Sequence, residues 1–217
     1  MTDFTLVLAN RNYSSWSMRA WLCMKQTGTS FQEVTLNLGA PDILEQKAQH
    51  TPAGRVPVLK HGDLVIWDSL AIAEYLAEGF PSAGLWPVDA RRRARARSLT
   101  NEMHSGFAPL REQMPMNIRS SYPDRVPDDA VKHDIGRIQT AWRDCSQAHG
   151  QDGPFLFGSF TIADAFFAPV VSRFKTYAVD MDDTCGAYAD AVWQHPDVQT
   201  WAVGATEESW VMPQYEF

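Results

Sequence analysis

Two short polar clusters in this chain bring together residue types that do chemistry. The first is Asp68-Ser69, which opens a predicted helix running through Leu70-Ala71-Ile72-Ala73-Glu74-Tyr75-Leu76. The free N–H groups of a helix start, joined by a hydroxyl, suit a carboxylate. The Asp68 carboxylate suits an ammonium. The same pair also caps the helix, which is the plainer role for such residues. The second cluster is Asn12-Tyr13-Ser14-Ser15-Trp16-Ser17-Met18-Arg19, set between a predicted strand and a predicted helix. Serines at that place are helix caps first and free hydroxyl donors second. His104 is a lone histidine; a structural hydrogen bond is its commoner role and acid–base work its sharper one. No P-loop, dinucleotide fingerprint, Ser-His-Asp order or metal-ligand spacing is present, so no metal is expected.

The elements that position these clusters follow from pattern. Arg55-Val56-Pro57-Val58-Leu59 reads as a strand, Gly62-Asp63 as a tight turn, and Leu64 to Trp67 as a returning strand. Pro57 gives up a ladder donor, so it belongs at a strand start, an edge or a cis bend. Upstream lie a strand over Phe4–Ala9 and a helix from Met18 that Gly28 ends, with Met18, Trp21 and Leu22 on one face. A strand over Phe31–Leu36 and a weak helical segment over Ile43–Gln49 follow. The order β-α-β-α-β-β-α is that of a thioredoxin-like domain with a mixed sheet and helices on both faces. Pro81, Gly84 and Pro87 mark residues 81–89 as a linker, dividing the chain into 1–80 and 90–217.

The second part reads as all helix. The spacing predicts one long helix over Ala90–Met114, bent at Pro109. A proline-rich loop over Pro115–Pro127 precedes a helix over Asp128–His149, with Val131, Ile135, Ile138 and Trp142 on one face. A third helix spans Thr161–Val179, kinked at Pro169. Shorter ones cover Ala187–Val192 and Val198–Glu207. Thr161-Ile162-Ala163-Asp164 has the form of a capping box, with Phe160 as its staple, and Asp164 is assigned to folding. Arg91 to Arg97 is a basic run, read as a solvated helix face that meets an acidic partner surface.

Val56-Pro57 followed by Asp68-Ser69, on this order of elements, resembles the glutathione S-transferase family, and the resemblance covers the whole chain. It implies an α/β thioredoxin-like N-terminal domain, an all-α C-terminal domain, and glutathione as cosubstrate. The backbone of Val56 beside a cis Pro57 would pair with the cysteinyl part of the tripeptide. Asp68 and Ser69 would take the γ-glutamyl end, and Arg55 the glycyl carboxylate, with His50 and Gln49 as further candidates. The run Ser14-Ser15-x-Ser17-x-Arg19 is similar to the Ser-Ser-Cys run of zeta-class transferases, which include maleylacetoacetate isomerases. The catalytic serine of that motif maps to Ser14, with Ser15 next and Tyr13 third. Its cysteine position is Trp16. A hydrogen bond and a helix N-terminus both favour an ionised thiol. Trp16, Met103, His104 and Phe107 would wall the pocket for a small electrophilic second substrate. Arg19 is assigned a structural role. The implied activity is thiol transfer; a zeta-type cis-trans isomerase and a non-catalytic binding protein on the same fold stand as alternatives. The family also implies a homodimer, with the basic helix near its contact.

Composition sets the outer bounds. At 217 residues, 45% apolar and with eight tryptophans, the chain has material for a sizeable core. A net charge of −7 argues against general nucleic-acid binding. No apolar run spans a bilayer and the start lacks a signal-peptide order, so a cytoplasmic protein is expected. Cys23, Cys145 and Cys185 form neither a disulfide framework nor a zinc pattern.

Overall fold

The structure, a computed structural model, describes residues 3–217. β1 (Phe4–Ala9) lies between β2 (Gln32–Leu36) and β3 (Val58–His61), and β4 (Leu64–Trp67) forms the edge beyond β3. β2 runs parallel to β1, whereas β3 and β4 are antiparallel to their neighbours. A parallel pair needs a crossover, and α1 (Ser15–Gln26) supplies it. The antiparallel pair closes through a tight loop in which Gly62 takes φ 56°, the left-handed conformation that a two-residue hairpin requires at its first position.

Alternation along β1 builds both faces of the sheet. Leu6 and Leu8 join the main core, together with Leu22 and Met24 of α1 and with Ile72 and Leu76 of α3 (Ser69–Gly79). Val7 points the other way, with Leu36 and Val58, and α2 (Ile43–Ala48) lays Ile43 over that smaller cluster.

The remaining helices are α4 (Ala90–Ser105), α5 (Ala108–Gln113), α6 (Asp129–His149), α7 (Ile162–Thr176), α8 (Asp183–Trp193) and α9 (Pro196–Glu207). Every residue of α7 except Lys175 is buried. Such an all-round apolar helix belongs at the centre of its layer. It packs on α1, α4 and α8 and so joins the sheet layer to the helical one. Its start is the expected capping box: Thr161 and Asp164 satisfy one another's backbone N–H groups.

Several boundaries differ from the sequence expectation: β3 begins at Val58 rather than Arg55, α7 ends at Thr176 rather than Val179, and α9 begins at Pro196 rather than Val198. α1 begins at Ser15 rather than Met18, because the Ser14 hydroxyl accepts the Ser17 N–H and starts the helix there. The single helix expected over Ala90–Met114 is broken at Gly106-Phe107, where Phe107 adopts φ 59°. Pro109 sits in the first turn of α5, where a proline costs no hydrogen bond, and produces no bend. α8 begins at Asp183, four residues before Ala187, because Asp182 accepts the Cys185 N–H.

The basic run is paired largely within its own chain. Arg92 pairs with Asp152 at 2.7 Å, Arg97 with Glu74 at 3.1 Å and Arg95 with Asp144 at 3.8 Å. Arg93 donates to the carbonyls of Pro87 and Val88. Arg91, Arg95 and Arg97 remain exposed, so the run is a solvated helix face as expected, and its charges also tie α4 to its own chain.

One turn is sterically closed. A Cβ on Gly153 would lie 2.4 Å from the Gly158 carbonyl, at φ 144°. Gly153→Ala is expected to cost more than about 2 kcal/mol. Gly136→Ala, in open space on α6, should stabilise by roughly 0.5–1 kcal/mol. Urea denaturation of both variants measures the contrast, and equal midpoints would contradict it.

Candidate active site

A cleft of ≈ 740 Å³ opens beside the end of α1 that faces the sheet, lined by Ser14, Trp16, Leu38, Lys47, Ala53, Arg55, Val56, Pro57, Trp67, Asp68 and Ser69. Both polar clusters therefore meet in one cavity, although 48 residues separate them in the chain.

Ser14 is the N-cap of α1. Its Oγ accepts the Ser17 N–H at 3.3 Å and lies 2.9 Å from the Ser17 Oγ, which in turn accepts the Ala9 N–H at 2.9 Å. Ser14 thus sits where the unpaired amides of a helix start favour negative charge. Ser15 points elsewhere: it is buried, and its Oγ lies 3.4 Å from an Nη of Arg173. The Tyr13 hydroxyl is fully engaged. It donates to Glu216 at 2.5 Å and accepts from Arg119 and from the Met212 N–H. A phenol held this way has no proton left for the cleft.

On the opposite wall the Val56-Pro57 bond is cis. Asp68 caps α3 from φ 74°, with Oδ1 accepting the Leu70 and Ala71 N–H groups at 2.8 and 3.4 Å. Its Oδ2 lies 3.3 Å from His104 Nε2, across the two layers. Partial burial pushes the Asp68 carboxyl up, but the hydrogen bond from His104 and those from the α3 backbone outweigh it and hold the group below its usual range. Ser69 Oγ is buried with no hydrogen-bond partner. A buried hydroxyl without a partner carries a cost of about 1–3 kcal/mol that a bound polar group removes.

The apolar wall differs from expectation. Met103 is fully buried in the main core and lines no part of the cleft. It lies on the face of α4 that packs on α7. Phe107 is half-buried in the break between α4 and α5 and also falls outside the lining, as does His104, whose ring instead meets Trp16 edge-on at 5.0 Å. His50 and Gln49 are not in the lining either, and Lys47 is. Nothing in the weak pattern of that short helix distinguishes Lys47 from its neighbours in the sequence.

Beneath Trp16 lies a group that the sequence does not reveal. The Arg19 guanidinium stacks under the indole at 4.6 Å and against Phe166 at 5.0 Å. It is wholly buried, and its three nitrogens have no hydrogen-bond partner. Burial, then the charges of Arg111 and Arg173, push its pKa well down. Arg111 reaches the same indole at 5.3 Å and leaves one Nη unpartnered. The structural role expected of Arg19 therefore becomes part of a three-arginine cluster under the mouth of the cleft.

Residues 13–78 match the family model described as the glutathione S-transferase N-terminal domain, and residues 89–201 match the glutathione S-transferase C-terminal domain. A protein named glutathione S-transferase 1 from Dianthus caryophyllus is 32% identical over 173 residues, covering 77% of this chain and 76% of its own. The maleylacetoacetate isomerase of Rattus norvegicus is 36% identical over 177 residues, covering 79% and 78%. A solved structure of a glutathione transferase homologue from Burkholderia, with bound glutathione, superposes with a TM-score of 0.71 at 26% identity, covering 94% of this chain and 98% of that one.

Proposed function

The chain belongs to the glutathione S-transferase family, and from that premise we propose that it is a glutathione transferase in which Ser14 ionises the bound thiol for attack on a small electrophile. The observation that carries the reading is the meeting of a helix-start hydroxyl, a cis Val56-Pro57 and the unpartnered Ser69 Oγ in a single cleft. Glutathione supplies the nucleophilic sulfur. Ser69 Oγ and the Ser69 N–H receive its α-carboxylate, and Asp68 its ammonium. The backbone of Val56 extends toward the cysteinyl unit as an added strand edge. Lys47 and Arg55 face the glycyl carboxylate. Ser14 donates to the thiolate, and the α1 terminus adds its dipole. Lowering a thiol pKa by two units takes roughly 3 kcal/mol; a charge-assisted hydrogen bond of about 1.5–3 kcal/mol with the dipole supplies it.

The test is thiolate absorbance on adding glutathione across pH, followed by product analysis. A bound thiol ionised below its free pKa, with a stable conjugate from an electrophile, supports the proposal. Glutathione that fails to bind would sink it in favour of a non-catalytic binding protein. A second reading, a zeta-type isomerase, draws support from the arginine cluster. Arg19 and Arg111, stacked on Trp16, keep guanidinium nitrogens without hydrogen-bond partners, which suits a carboxylate-bearing olefin. A rearranged acid with glutathione returned unchanged is its signature. The electrophile of the main reading meets the indole of Trp16, half-open at the mouth.

Lys47→Ala is expected to raise the glutathione Kd about tenfold, the loss of one charged hydrogen-bond partner. Calorimetric titration measures this, with Lys132→Ala, an exposed position of α6, as the control. An unchanged Kd would remove Lys47 from the site. A homodimer in the cytoplasm completes the proposal. Family resemblance supports the first; three unpaired cysteines fit a reducing compartment. No helix among the described residues is long and apolar enough to cross a membrane. Light scattering at twice the 24.4 kDa chain mass checks the dimer.

A further inference from the structure

We infer that Ser17, a residue that never touches the ligand, sets the direction of the Ser14 hydroxyl and thereby the acidity of the bound thiol. The inference rests on the proposed role of Ser14. Ser17 is fully buried, one turn into α1. Its Oγ is fixed by the Ala9 N–H at 2.9 Å and lies 2.9 Å from Ser14 Oγ. One proton occupies the contact between the two hydroxyls, and either residue can supply it, because a hydroxyl rotates to suit its partners.

The two arrangements are not equivalent. If Ser14 donates to Ser17, the Ser17 proton finds no other acceptor among the described residues, and a buried donor is stranded. Ser14 then has nothing to offer a thiolate. If Ser17 donates to Ser14, both hydrogen-bonding groups of Ser17 are used and no donor is stranded away from the cleft. The Ser14 oxygen then accepts both the Ser17 N–H and the Ser17 O–H, which fills its two lone pairs. Its own O–H is left as the single free group, and Ser14 lines the cleft. The result is a chain from the Ala9 N–H through Ser17 and Ser14 into the cavity. Each donor in such a chain polarises the next. No proton has to leave either serine; the hydroxyls turn, and the thiol proton departs to solvent.

Ser17 is therefore a positioning residue, and its substitution should shift the pKa of bound glutathione more than its affinity. The measurement is difference absorbance of the thiolate on adding glutathione, across pH, for the native protein and for Ser14→Ala, Ser17→Ala and Ser17→Thr. Ser17→Ala is expected to raise the bound-thiol pKa by about one unit, with Kd changed less than threefold. Ser17→Thr, which keeps the hydroxyl, should return it to the native value. A native thiol pKa in Ser17→Ala overturns the inference, and so does an equal rise in Ser17→Thr, because shape and not the hydroxyl would then be at work. Should Ser17→Ala not fold, Ser17→Cys carries the test: its weak donor should give an intermediate pKa, and an unshifted value overturns the inference. Native protein that leaves bound glutathione un-ionised, or a Ser14→Ala protein that keeps the shift, instead counts against the function proposed above.

Discussion

Ser14→Ala should lower kcat/KM by about two to three orders of magnitude, the usual cost of removing one donor aimed at developing charge. The loss should fall on kcat, with KM for glutathione little changed, because the proposed contacts to the tripeptide come from Arg55 and Val56 before β3, from the start of α3 and from Lys47. The pH profile gives the sharper reading. Without the hydroxyl, the bound thiol should titrate near its free value of about 8.5. The deficit should then shrink as pH rises past about 9, where the thiol ionises unaided. The variant also loses a helix cap, worth about 1 kcal/mol, so thermal unfolding should move slightly down. A variant with native kcat/KM at pH 7 would transfer the role to another donor, and Tyr13 is poorly placed to take it. A deficit constant at every pH would mean that Ser14 acts on geometry and not on ionisation.

The second large effect concerns stability. Asp164 is wholly buried and accepts from the N–H groups of Leu156 and Thr161, from the Thr161 hydroxyl and from the Tyr188 hydroxyl. Asp164→Ala strands all four donors at the start of the central helix. A loss of about 3–5 kcal/mol is expected from denaturant titration at pH 8. Burial pushes the Asp164 carboxyl up to about 6, although its four hydrogen bonds pull it down. The folded protein therefore holds this proton more tightly than the unfolded chain, whose value is near 3.8. The contribution is fully present below pH 3.8 and is lost as pH rises through 6, roughly 3 kcal/mol across the window. The alanine variant has no such group. Its deficit relative to the native chain should thus widen on going from pH 8 to pH 5. Parallel stability curves would show that Asp164 stays ionised throughout.

Much of the sheet layer was legible because its signals are local. Gly62-Asp63 between apolar runs marks a hairpin whatever surrounds it, and Asp68 before an apolar period marks a helix start. The errors arose where one residue type serves two ends. Ser14, Ser15 and Ser17 look alike in sequence, yet Ser14 caps, Ser15 enters the helix beside Arg173, and Ser17 is buried against β1. Phe107 breaks α4 from α5 in a conformation that its side chain does not advertise. Met103 has the period of a pocket residue and the burial of a core one; only the packing of α4 on α7 decides between them. The arginine cluster was illegible for a different reason. Arg19, Arg111 and Arg173 stand far apart in sequence, and their convergence under Trp16 depends on how three helices pack.

The contact between Tyr13 and Glu216 joins residues 203 positions apart, and it has a consequence in time. A ribosome adds about 5–20 residues per second, so some ten to forty seconds separate the synthesis of the Ser14 loop from that of the carboxylate that clamps its neighbour. Throughout that interval β1 and α1 can pair and pack, but the Tyr13 hydroxyl lacks its acceptor. The nascent chain thus carries the Ser14 loop formed and unfastened, and fastens it only once translation has reached Glu216.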